Sequence, residues 1–123
     1  MLGTVDRELR ELGIGSRVVR WNGAGGEAVV FPFDVLSGRF RGTVLDIGLS
    51  FQEAAYPEYP PHFIHVRSLD ATNKTRHSEH EFEGALWWTF SAPPRDFWDT
   101  LEPSQKNMRT YVRRHLLRFL HQL

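Results

Sequence analysis

The residues best suited to chemistry lie between positions 77 and 91. His77 and His80 flank Glu79 and precede Glu81 and Glu83, so a base and a carboxylate fall within a few residues of one another. Ser78 or Ser91 is the candidate nucleophile for such a base. A serine also needs an oxyanion site, and neither a Gly-x-Ser-x-Gly elbow nor another nucleophile signature accompanies these two. His77-x-x-His80 with Glu81 or Glu83 imitates a zinc site, but it lacks the helical His-Glu-x-x-His spacing and nothing anchors a third ligand. His62-x-x-His65 falls on a strand, where an offset of three sends side chains to opposite faces, so these two do not readily share an ion. The expectation is no metal and no cofactor, with a solvated polar loop as the plain alternative to a site.

Other groups invite a functional reading and have a structural one beside it. Trp87 and Trp88 are adjacent in a strand-like run and point to opposite sides. One enters the core; the other is a surface anchor for a partner, or is covered by the loop at Pro93-Pro94. Gly23, Gly25 and Gly26 precede a strand and no Lys-Ser or Lys-Thr follows, which makes a hairpin turn of them and not a phosphate loop. Arg109, Arg113, Arg114 and Arg118 sit on a terminal helix and read as a solvated face more readily than as a polyanion site.

The elements that must position these residues follow from pattern. Thr4 is a cap for a short helix with Val5, Leu9 and Leu12 on one stripe and Gly13 at its end. Ser16–Trp21 and Glu27–Phe33 form a hairpin, Ser37-Gly38 is a turn, and Leu45, Ile47, Leu49 and Phe51 alternate with polar or small residues in the clearest strand. His62–Arg67 is a short fourth strand behind Pro60-Pro61. A polar crossing from Ser68 to Glu83 leads to the apolar run Gly84–Phe90, and Pro103-Ser104 marks a helix start. Met108, Tyr111, Val112, His115, Leu116, Phe119, Leu120 and Leu123 keep helical spacing. The expectation is an α+β fold: an antiparallel four-stranded meander with an N-terminal helix and a C-terminal helix packed on the sheet.

At 123 residues the chain suits one domain, 1–123. Fifteen basic and fifteen acidic residues cancel, so no global field attracts nucleic acid or a membrane surface. There is no cysteine, which excludes disulfides, thiolate ligands and a thiol nucleophile. The first residues carry no signal pattern and no apolar run is long enough to span a bilayer, so the expected location is cytoplasmic.

Residues 40–66 read FRGTVLDIGLSFQEAAYPEYPPHFIHV, a long strand followed by Tyr56, Pro57, Pro60 and Pro61. This resembles the third strand and Tyr-Pro-x-x-Pro-Pro signature of the ubiquitin-conjugating-enzyme family. The N-terminal helix, the Trp21-Asn22-Gly23 strand and turn, and a helix following Trp98 agree in order. Tyr56 is expected to stack on the prolines while its hydroxyl finds a backbone partner. In the resembled family a His-Pro-Asn-like triplet and a Gly-x-x-Cys-Leu-like run come next; here Arg76-His77-Ser78 and Gly84-Ala85-Leu86-Trp87-Trp88 stand there. An indole in place of the thiolate forms no transferable thioester. The resemblance, closest to the divergent prokaryotic branch, implies a non-catalytic variant in a bacterial conjugation or antiphage setting. Its partner would be a ubiquitin-like protein, an activating enzyme or a catalytically active paralogue, held by Trp87 or Trp88 with His77, His80 and Glu83. The alternative is an enzyme with a non-cysteine active site in the His77–Glu83 crossing.

Overall fold

The apolar spacing of the first dozen residues produces helix α1 (Leu2–Glu11), which buries Leu2, Val5 and Leu9. It begins two residues ahead of the expected cap: Met1 is the N-cap, without a side-chain bond, and Thr4 lies inside the first turn. Its end follows the expectation. Gly13 takes φ +83°, its N–H bonds the Arg10 carbonyl at 2.9 Å, and the Ile14 N–H bonds the Leu9 carbonyl at 3.0 Å, a Schellman closure that only a residue free of Cβ adopts cheaply.

The computed structural model describes residues 1–20, 26–52, 55–67, 78–82 and 85–123, the segment 78–82 by its backbone alone. Within these residues six strands form one antiparallel sheet: β1 (Arg17–Arg20), β2 (Glu27–Asp34), β3 (Val44–Ser50), β4 (Phe63–Arg67), β5 (Ser78–Phe82) and β6 (Ala85–Ser91). Their order is β1-β2-β3-β4-β6-β5. The four-stranded meander is therefore correct for β1 to β4 and incomplete beyond them. The part of the apolar run from Ala85 on becomes an interior strand beside β4, and Ser78–Phe82 of the polar crossing forms the edge strand β5. A sequence of Ser-Glu-His-Glu-Phe gives little strand signal because edge strands carry polar residues to discourage further pairing.

Alternation sorts the sheet into two faces. Phe31, Ile47, Val66 and Trp88 lie opposite one another across four strands, and Val29, Leu49, Ile64 and Phe90 make a parallel row. Both rows belong to the main core. The C-terminal helix covers them as three consecutive pieces, α2 (Met108–Tyr111), a π turn (Val112–Leu116) and α3 (Leu117–Gln122). Met108, Tyr111, Leu116 and Leu120 are buried in this core with Leu45, Ile47 and Leu49, and Phe119 packs against it. Pro103 opens only a 3₁₀ turn, Pro103–Gln105. The cap of the helix proper is Asn107, whose side chain accepts the Thr110 N–H at 3.0 Å.

Candidate functional site

The segment between β3 and β4 is held from three directions. Tyr56 donates its hydroxyl to Glu8 Oε1 at 2.7 Å, and the same oxygen accepts the Met108 N–H at 2.8 Å. One carboxylate thus joins α1, the Tyr-Pro turn and the first turn of α2, where the helix dipole favours negative charge. The Trp98 indole donates to the Pro57 carbonyl at 3.0 Å, and the Phe51 ring meets Tyr56 edge-on at 5.8 Å. The Tyr56–Pro57 peptide bond is cis. Burial, then the bond to Glu8, push the Tyr56 phenol well above its ordinary range. The hydroxyl's partner is a carboxylate and not the expected backbone group, because α1 brings Glu8 over the turn.

The two strand histidines have separate roles. His65 lies on the outer face of β4, where Gly48 leaves room for it: a Cβ there would stand 3.2 Å from the His65 Cβ. Ser50 Oγ is 2.7 Å from His65 Nε2, and Thr89 Oγ1 is 2.7 Å from Nδ1. All three residues are fully buried. A substrate has no route to this Ser-His-Thr chain, so its work is to satisfy a buried imidazole across three strands. His62, at the entrance to β4, is accessible, and its Nε2 is 2.8 Å from Ser91 Oγ. It borders a cleft of about 360 Å³ lined also by Gln52, Tyr59, Pro60, Pro94 and Asp99. Ser91 therefore does meet a histidine, and among the described side chains that histidine is His62.

His77 and Glu83 lie outside the described residues, as do Trp21 to Gly25 of the glycine turn. Ser78 and His80 belong to β5, their backbones opposite Thr89 and Trp87 respectively. Trp87 and Trp88 do point to opposite faces, yet neither is a surface group: they are 5% and 2% exposed. Trp88 joins the main core, and Trp87 packs on the other face with Val19, Ala28 and Val30. The surface anchor that alternation permitted is thus corrected. Both faces of β6 carry an apolar cluster, the main core on one side and the Val19, Ala28 and Val30 cluster on the other.

A further cluster carried no sequence signal because its members are far apart in the chain. His115 Nε2 donates to the Ala92 carbonyl at 2.6 Å, and Arg118 reaches His115 Nδ1 at 3.4 Å while pairing with Asp96 at 2.9 Å. Burial pushes the His115 pKa down; the Ala92 bond opposes this and Arg118 reinforces it. Among the described residues no group of three or more acidic, histidine or cysteine side chains is disposed to hold a metal ion, and no helix is long and apolar enough to cross a membrane. No family model, curated protein or solved structure matches the chain.

Proposed function

We propose that this chain is a non-catalytic, ubiquitin-conjugating-enzyme-like adaptor, which binds a ubiquitin-like modifier or its conjugation machinery in a bacterial conjugation or antiphage pathway. The observation that carries the reading is the Tyr56–Pro61 turn, which follows the long strand β3, precedes β4 and is bonded to Trp98 and to Glu8 of α1, Glu8 in turn accepting the Met108 N–H of α2. A signature so tied to the fold is an architectural element, and it sits in a chain without a thiol. Partners would be a ubiquitin-like protein, an activating enzyme or a catalytically active paralogue. With both indoles buried, contact falls to the crossing that carries His77, His80 and Glu83. Calorimetric titration with a ubiquitin-like modifier, an activating enzyme and a catalytically active paralogue from the same genome tests this: micromolar binding to at least one is expected, weakened about tenfold by His80→Glu with Glu83→Arg. Absence of binding to any of the three partner classes would end the adaptor reading.

A second reading, an enzyme without a cysteine, draws on the accessible Ser91–His62 pair. It replaces His77 and His80 by His62 as the base. A fluorophosphonate adduct on the wild-type chain that disappears in Ser91→Ala would favour it; an unlabelled chain would remove it.

A further inference from the structure

We propose that the groove between the end of α1 and the start of the C-terminal helix docks a short peptide segment in which apolar and acidic side chains alternate. This inference stands apart from the adaptor reading, since it rests on a different surface and different residues. The groove, about 310 Å³, is lined by Leu12, Ile14, Phe33, Arg109, Val112 and Arg113.

Its floor arises from the way α1 stops. The Schellman turn at Gly13 sends Ile14 back over Leu9, so Leu12 and Ile14 both face the hollow instead of continuing the helical stripe. Leu12 is left 39% exposed, while Ile14 and Phe33 are only partly covered although they pack against the main core. The apolar surface of the core is thus continuous with an open groove. Such an opening in a helix-covered sheet face accepts an apolar side chain from outside.

Its rim supplies the charge. Arg109 and Arg113, four residues and so about one turn apart, both border the groove together with Val112. Both are exposed, and no carboxylate among the described residues lies within 4.0 Å of either. The other two arginines of this helix are engaged inside the fold: Arg114 lies over the Phe97 ring at 4.3 Å, and Arg118 pairs with Asp96 at 2.9 Å. The uncommitted pair is therefore the one that borders the apolar opening. An adjoining hollow of about 450 Å³ shares Leu12 and Arg109 and contains Glu8 and Glu11. Glu8 is already bonded to Tyr56 and Met108, and Glu11 faces Arg7 at 4.0 Å. The acid-free end is the one at Phe33 and Arg113, which fixes where the acidic side chains of the occupant lie. Carboxylates of the occupant meet the Arg113 guanidinium there and that of Arg109 one turn away, both without a carboxylate partner among the described residues, and the apolar side chains enter between Leu12 and Val112.

The probe is a short end-capped peptide alternating leucine and aspartate, titrated into the isotopically labelled full chain and followed by amide shifts. Expected are shifts centred on residues 12–14, 33 and 109–113, binding that weakens as salt rises towards about 0.5 M, and about tenfold weaker binding in Arg113→Glu. Leu12→Asp should also weaken it; both sites are exposed, and an unchanged melting temperature verifies the fold, with Arg113→Gln as the milder substitute. Equal binding of a lysine-for-aspartate peptide overturns the proposal. So does reproduction of the same shifts by inorganic phosphate or by the serine-for-leucine peptide, which would define a plain anion site. Self-association of the chain that buries Leu12, or no shifts at about 1 mM peptide, overturns it as well.

Discussion

Tyr111 places a fully buried hydroxyl where no partner for it exists among the described residues, and burial pushes its pKa far up. An unmade hydrogen bond already incurs the desolvation cost, so deleting the oxygen removes a penalty and not a bond. Tyr111→Phe is expected to leave urea stability unchanged or raise it by up to about 1 kcal/mol; a loss of more than about 1 kcal/mol would show that the hydroxyl is satisfied. His115 gives a pH signature. Its folded pKa is depressed below the ordinary histidine value, mainly by burial, with Arg118 reinforcing the shift and the Ala92 carbonyl and Asp96 opposing it. The neutral ring is favoured in the fold, so the unfolded chain binds more protons. Stability from this group is complete above about pH 6.5 and is lost as pH falls below it. Wild type should therefore lose stability from pH 7 to 5 more steeply than His115→Gln, by at most about 1.4 kcal/mol per pH unit. Equal slopes would contradict the assignment.

At the scale of elements, the Ser37-Gly38 turn is as exacting as the terminal helix it touches. Gly38 has φ +86°, and a Cβ there would collide with the His121 carbonyl at the end of α3, while Ser37 Oγ is 3.0 Å from His121 Nδ1. Gly38→Ala is expected to destabilise by about 2 kcal/mol or more in chemical denaturation, whereas an effect within about 0.5 kcal/mol would place the turn away from the helix. Ser37-Gly38 was legible as a turn, but not as a docking point, because local pattern says nothing about what packs on a turn. The same distinction runs through the site. Tyr56, Pro57, Pro60 and Pro61 were legible as a chain reversal; Glu8 and Trp98, which hold it, are 48 and 41 residues away in sequence from their partners. Period-two alternation disclosed β3, turn chemistry and the prolines disclosed β1, β2 and β4, and Gly84–Phe90 stood out as an apolar run, while β5 was hidden by its polar composition.

Across the whole molecule, one apolar face of a six-stranded sheet is closed by the C-terminal helix, and both halves of that core were foreshadowed by spacing. Leu116 is completely buried within it. Leu116→Ala is expected to cost about 2 to 5 kcal/mol, and a change within about 0.5 kcal/mol would move the stripe to the surface. Function was less legible than fold. The absence of a thiol was plain from composition, but two adjacent tryptophans look alike in sequence whether they cap an interface or fill two cores. The proposed adaptor binds the conjugation machinery without joining its chemistry. Its most direct test is one mass-spectrometric measurement of the chain mixed with a ubiquitin-like modifier, its activating enzyme and ATP, recorded under native and then denaturing conditions. The account requires a non-covalent complex in the native spectrum and an unshifted chain mass after denaturation. A denatured mass raised by one modifier, or no complex in the native spectrum, would contradict it.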